Sequence, residues 1–378
     1  MDRVKVAIIG CGVMSHYGHA PGYLSYRDKA ELVAVCDTVK ATAEQSARDW
    51  GAKKVYTDYK ELLKDDEIDA VDIVLPHYLH APVTIAAAEA GKHVTVQKPM
   101  AMNDREADEM IAATRKAGVK FMISESEVFY PPYAKAKELI ESGEIGEPSV
   151  LRLANKYGIK RPQTTERTPQ QRKPQEGYIP WRGDPKLFGG GSLFGGGYHK
   201  FAHIIFLLGE VEEVRAWIDN LERQAPHVMM WKYKAKGKYG VMETTMSPEM
   251  HIDAEDRAPI GETVEVTGSS GILWVTRCEG RVRKEPPVIV YKGEGHGQTI
   301  SYDNIETNYK EGFKRMTHHF IDCILEDKQP IFNGEIGKKT LQLCLSVYKS
   351  AQMNGEAVRP DDIIDWKWLW EQRQEKPI

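Results

Sequence analysis

The stretch Val4-Lys5-Val6-Ala7-Ile8-Ile9-Gly10-Cys11-Gly12-Val13-Met14-Ser15 lies at the head of the chain. A run of Val, Ala and Ile followed at once by G-x-G reads as a strand buried on both faces that turns sharply into a helix. At such a turn the first glycine, Gly10, permits the reversal. The second, Gly12, lets a pyrophosphate approach the free N–H groups and positive dipole end of the helix, beside Val13 and Met14. Ser15 stands where the usual pattern has a third glycine, and it is small enough for helix and strand to pack closely. Asp37 ends the next apolar run, twenty-five residues after Gly12. There its carboxylate can accept the ribose hydroxyls of NAD and would repel the extra phosphate of NADP. An Asp at that place also reads as a cap for the helix starting near Val39, and Lys40 beside it keeps NADP open.

The same alternation continues outward from this stretch. Apolar runs at Val4–Ile9, Leu32–Cys36, Ala70–Leu75, His93–Gln97 and Lys120–Ser124 are separated by helix-like segments at Val39–Trp50, Tyr59–Leu63, Ala81–Ala90 and Asp104–Ala117. Strand and helix in turn predict an α/β unit with a doubly wound parallel sheet over residues 1–124. Beyond Glu125 the texture changes. A helix is predicted over Tyr133–Glu141, and Lys156–Lys186, rich in Pro, Gln, Arg and Thr, has no period and reads as a long loop. Alternating, turn-bounded runs at Val228–Tyr233, Tyr239–Thr245, Thr263–Thr267, Ile272–Thr276 and Val288–Tyr291 predict an antiparallel sheet, and helices at Glu311–Leu325 and Ile336–Ala351 close the chain. A second unit, 125–378, is therefore expected, its final helices packing back on the first.

Composition narrows the function. With 378 residues, 51 Lys and Arg against 55 Asp and Glu and a net charge of -4, the chain is long enough for two domains and carries no polyanion-binding footprint. The longest apolar run, Phe201–Leu208, is interrupted by His203 and is far shorter than the roughly 20 residues of a membrane span. No secretory pattern precedes Val4, so the cytoplasm is the expected compartment. Cys11, Cys36, Cys278, Cys323 and Cys344 are scattered without C-x-x-C spacing and read as reduced packing residues.

Two further constellations carry chemistry. Leu75-Pro76-His77-Tyr78-Leu79-His80 and Val94-Thr95-Val96-Gln97-Lys98-Pro99 each follow a predicted strand, at the sheet edge where doubly wound folds bind ligands. Lys98 can face a substrate there, although an isolated Lys before Pro is more often a solvated turn residue. Gly189-Gly190-Gly191-Ser192-Leu193-Phe194-Gly195-Gly196-Gly197-Tyr198-His199 runs into an apolar helix, and His199 at its head is a candidate acid or base. His203, one turn on, would make half a metal site with His199. With no carboxylate or thiol partner in sight it reads better as a core histidine, and no metal is expected.

Together, the Gly10 loop, Ala90-Gly91-Lys92-His93-Val94 with Lys98-Pro99, and the glycine run ending Gly197-Tyr198-His199 resemble the glucose-fructose oxidoreductase, inositol dehydrogenase and MocA family over nearly the whole chain. The resemblance implies a Rossmann domain joined to a domain with a large, open antiparallel sheet, and a homo-oligomer, dimer or tetramer. It implies NAD-dependent oxidation of a secondary hydroxyl of a sugar, glycoside or related polyol. Lys98 matches the family lysine that holds and polarises the hydroxyl, and His199 the histidine that exchanges its proton. Pro76, His77, His80, Gln97 and Lys98 fall at the cofactor, and Tyr130, Tyr157, Trp181 and Tyr198 join Lys98 and His199 as substrate candidates. Departures from the family pattern are Gln97 for Glu, Gly195 and Ala202 for Asp, and His77 for Asn. The missing carboxylates suggest a rerouted proton relay through Tyr198 or His77. They leave room for a redox-neutral hydrolase or lyase working by transient oxidation, and for a non-catalytic dinucleotide sensor. Between Arg152 and Lys186 nine basic residues face three acids, and Tyr157, Tyr178 and Trp181 there suit a sugar face or a neighbouring subunit equally.

Overall fold

Six parallel strands build the first sheet: β1 (Val4–Ile9), β2 (Ala30–Cys36), β3 (Lys54–Tyr56), β4 (Ala70–Ile73), β5 (His93–Gln97) and β6 (Phe121–Ser124), in the order β3-β2-β1-β4-β5-β6. The computed structural model describes residues 2–158, 181, 184–219, 226–247, 260–276, 285–293 and 297–364. The strands are near-continuous Val, Ile and Ala because helices cover both faces, as in a doubly wound parallel sheet. Strand order reverses between β1 and β4, and the crevice beyond their carboxyl ends is where such folds place a ligand. The sequence reading omits β3. Its three residues form a short, incompletely buried edge with no apolar run to betray it.

The second sheet has eight strands: β7 (Pro148–Gly158), β8 (Val211–Ile218), β9 (His227–Tyr233), β10 (Tyr239–Ser247), β11 (Ile260–Gly268), β12 (Gly271–Val275), β13 (Val288–Lys292) and β14 (Gln298–Tyr302). Its order is β14-β13-β12-β11-β7-β10-β9-β8, and it is mixed rather than wholly antiparallel, because β7 and β10 run parallel at its middle. A parallel neighbour needs a long crossover, and the chain between β7 and β8, with the helix Tyr198–Leu208, supplies one. β7 also extends into residues 156–158, which read as loop. Its central position hides behind polar residues such as Asn155, which is buried and donates from Nδ2 to Thr244 Oγ1 at 3.4 Å.

The closing helices Lys310–Leu325 and Gly334–Gln352 bind the two sheets together. Asp322 accepts from Tyr26 Oη at 2.8 Å and Lys29 Nζ at 2.7 Å, and Lys338 reaches Asp108 at 2.6 Å. Phe313 lies 5.6 Å from the His19 ring and 5.8 Å from that of Tyr17. Cys11, Cys36, Cys323 and Cys344 are buried free thiols, and Cys278 lies outside the described residues. Among the described residues, no helix is long and apolar enough to cross a membrane.

Phe313 is 2% exposed and fills the seam between the first sheet's helical layer and a closing helix. Phe313→Ala should cost about 3–5 kcal/mol, read as a lower urea midpoint. An unchanged midpoint would show that this seam carries no stability.

Candidate active site

Gly10 has φ 98°, and a Cβ there would lie 2.3 Å from the Val74 carbonyl oxygen, so only glycine fits. At Gly12 a Cβ would meet no atom within 4 Å, which leaves an open backbone face where a pyrophosphate can approach. Ser15 ties this turn by donating from Oγ to the Gly10 carbonyl at 2.5 Å. The following turn, Ser15–His19, is π-helical and runs into Ala20–Leu24, where Pro21 has no N–H to close a regular α-helical bond. Asp37 Oδ2 accepts the Cys11 N–H at 2.9 Å while Oδ1 accepts the Val39 N–H at 2.9 Å. The acid thus braces the glycine loop as well as the turn after β2. Val13 is exposed and Met14 half-buried beside it. An open glycine face with a carboxylate at the end of β2 fits a dinucleotide.

Lys98 follows β5, in cis peptide linkage to Pro99, and its Nζ donates to the Gly195 carbonyl at 2.6 Å. That carbonyl lies four residues before His199, so the lysine and the glycine-rich loop meet. The loop is pinned from behind by the helix Gly334–Gln352: the Phe194 N–H donates to Tyr348 Oη at 3.1 Å, and Tyr198 Oη donates to the Gly337 carbonyl at 3.1 Å. His77, following Pro76 after β4, donates from Nδ1 to the Phe188 carbonyl at 2.7 Å. Its ring stacks on Phe188 at 4.8 Å and meets Trp181 edge-on at 4.7 Å, so a cofactor candidate and a substrate candidate far apart in sequence share one wall.

His199 begins the helix Tyr198–Leu208 and is nearly buried. Its Nδ1 donates to Glu125 Oε1 in a short hydrogen bond. A carboxylate only accepts, so the ring proton sits on Nδ1, and Nε2, 3.8 Å from Glu127 Oε1, is the basic nitrogen. Below it Lys200 Nζ pairs with Glu127 Oε2 at 3.1 Å and with Glu262, to which Tyr133 Oη also donates. Glu127 takes a further bond from Tyr309 Oη at 3.0 Å. Burial opposes the charge on Glu127, but its surroundings, the Lys200 ammonium among them, outweigh it and hold the carboxyl well below its usual range. Burial pushes Glu262 up and His203 well down.

Residues 4–125 match the oxidoreductase family with an NAD-binding Rossmann fold, and residues 133–274 match the GFO/IDH/MocA C-terminal domain. The chain belongs to the Gfo/Idh/MocA family. It is 27% identical over 95% of its length to scyllo-inositol 2-dehydrogenase (NAD(+)) of Bacillus subtilis, covering 97% of that protein. It is 28% identical to myo-inositol 2-dehydrogenase of Thermotoga maritima, over 96% of this chain and all (100%) of that one. The fold superimposes on a levoglucosan dehydrogenase solved with NADH and levoglucosan with a TM-score of 0.79, at 21% identity over 96% of this chain and 100% of that one.

Against the family pattern, several expectations need correction. No carboxylate stands at Gly195 or Ala202, but three others lie around His199 and Lys200: Glu125 and Glu127 from the segment after β6, and Glu262 from β11. His203 is therefore not a plain core histidine. It stacks on Tyr133 at 3.6 Å with Nε2 3.3 Å from Glu127 Oε2. Glu127, His203 and Glu262 bring metal-ligand atoms within 4.8 Å of one another, but the Lys200 ammonium already pairs with both carboxylates. Tyr198 is no proton relay, since its hydroxyl points into the closing helix. Tyr130 is buried and donates to the Thr307 carbonyl at 2.9 Å, a packing role rather than a substrate contact. His80 is fully buried between two loops, Nδ1 2.8 Å from the Pro99 carbonyl and Nε2 2.9 Å from the Leu75 carbonyl, and burial keeps it below the usual histidine range, so it presents no open face at which a cofactor could be met. Gln97 turns inward. Tyr157 pairs through its backbone in β7, and Tyr178 with most of the basic segment lies outside the described residues.

Asp37→Ala removes the brace on the Cys11 N–H and the acceptor for a ribose hydroxyl. NAD affinity should fall by about 1.5–3 kcal/mol, on the order of ten- to a hundredfold, with a smaller loss for NADP, measured by titration calorimetry. Equal losses for both cofactors would remove Asp37 from cofactor choice.

Proposed function

We propose that this chain oxidises a secondary hydroxyl of a sugar, cyclitol or related polyol to a ketone, with residues 1–124 holding NAD and 125–378 supplying the substrate side. The observation that carries the reading is that Lys98 docks on the loop leading to His199, whose imidazole is oriented by Glu125. Bound NAD supplies the hydride acceptor. A carbinol carbon gives up hydride only as its hydroxyl loses a proton, so a base and a nearby cation are both required. His199 Nε2 takes that proton. The Lys98 ammonium stabilises the developing alkoxide, and Glu125 holds the imidazole in the tautomer that can accept and stabilises the imidazolium that results. Trp181, beside His77, is proposed to offer an aromatic face to the sugar ring. The inositol dehydrogenases of B. subtilis and T. maritima support a polyol substrate.

Glu125 gives His199 a carboxylate partner although positions 195 and 202 carry none, which favours net oxidation over a redox-neutral route, and a base with its orienting acid is more than a sensor needs. The exposed Trp217, Val228 and Met230, neighbours on one face of β8 and β9, support pairing of subunits through the open sheet.

With a panel of sugars, cyclitols and glycosides, one substrate should give many equivalents of NADH per subunit. Lys98→Ala and His199→Ala should each reduce its turnover by at least about a hundredfold, and Glu125→Gln by about ten- to a hundredfold, with NAD affinity kept. Full turnover in either alanine variant would refute the assignment.

A further inference from the structure

A second buried relay, separate from the carboxylates around His199, ends at the Lys98 backbone. His19, from the π-helical turn after the glycine loop, and Asp72, from β4, are fully buried, and Gln97, at the end of β5, is nearly so. His19 Nδ1 lies 2.8 Å from Asp72 Oδ2, His19 Nε2 lies 3.0 Å from Gln97 Nε2, and Gln97 Oε1 lies 2.8 Å from the Lys98 backbone nitrogen. The direction of every bond in this chain is fixed by its last member. A backbone N–H can only donate, so the Gln97 atom it meets is the amide oxygen. The amide nitrogen therefore faces His19 and donates, Nε2 accepts, and the ring proton sits on Nδ1 and is given to Asp72. One acid, one amide and one imidazole form a continuous buried chain in which each link joins a donor to an acceptor. Phe313 packs on the His19 ring, and burial and the neighbouring Asp72 push the Tyr23 phenol up.

We propose that Asp72, His19 and Gln97 are positioning residues that clamp the Lys98 backbone, while the Gly195 carbonyl holds the tip of its side chain. The proposal rests on the reading that Lys98 acts on the substrate. It also accounts for the amide at position 97: a glutamate there would accept from Lys98 and would need a second acceptor's worth of protons from His19, which already gives its proton to Asp72.

Two measurements test this, one independent of catalysis. Imidazole 15N spectra, with the His19 signals assigned by their loss in His19→Gln, should show Nδ1 protonated and Nε2 bare; the opposite tautomer or an imidazolium would overturn the relay. Kinetically, Gln97→Glu should lower kcat by about ten- to a hundredfold with little change in KM for NAD. Asp72→Asn alone should be mild, since the asparagine oxygen can still accept from Nδ1. The double variant Gln97→Glu/Asp72→Asn again has one acid and one amide with the polarity reversed. It should recover to within severalfold of the parent and show the proton on Nε2. A wild-type rate in Gln97→Glu, or losses that merely multiply in the double variant, would overturn the positioning role even with the tautomer as stated. If Lys98→Ala keeps full turnover, the functional reading fails, and the tautomer result stands apart from it.

Discussion

Charge taken out of water must meet opposite charge or donors, and this constraint holds the catalytic half of the molecule in place. Glu125, Glu127 and Glu262 are buried together, and among the described residues the side chains of His199, Lys200, Tyr133 and Tyr309 bind them. These partners come from the helix Tyr198–Leu208, the helix Pro131–Glu141 and the approach to Lys310–Leu325. Separating them would leave carboxylates uncompensated in the interior, so the helix bearing His199 has little freedom to shift against the segment after β6. The position of the base follows from that, and the tautomer of His199 follows from Glu125.

Much of the first sheet is legible in the sequence because parallel strands covered on both faces must be continuously apolar, as Val4–Ile9 and Ala30–Cys36 are. The short edge β3 carries no such run, and β7 is masked by Asn155 and Lys156 even though it lies at the centre of its sheet. Gly10, Gly12, Asp37, Lys98 and His199 are legible because each sits at a fixed offset from a strand or helix end. The carboxylates around His199 are not. Glu125 and Glu127 in Ser124-Glu125-Ser126-Glu127 look like a polar turn, and Glu262 lies in a strand far along the chain. The one available signal was the pair of alternating acids directly after an apolar strand, at the ligand-binding edge of the sheet. Reading departures from a family pattern position by position misses such a transfer, because a carboxylate need only reach the same imidazole, from whichever element is near.

The two side chains proposed to react are thus held by different parts of the chain. Lys98 is set by the first sheet through Gln97 and reaches over to Gly195 of the second half, and His199 is held by Glu125, directly after β6, where the two halves join. Lys98 meets the loop leading to His199 only while the two halves are docked, and the helix Gly334–Gln352, which pins that loop, secures the docking.

The central claim is hydride transfer from a carbinol carbon to NAD at this junction. The most direct measurement uses a polyol substrate deuterated at the oxidised carbon, with mass analysis of the reduced cofactor and the product. The account predicts reduced cofactor accumulating over many turnovers with one deuterium in each molecule. Product that retains the deuterium while no reduced cofactor accumulates, or reduced cofactor without deuterium, would contradict it.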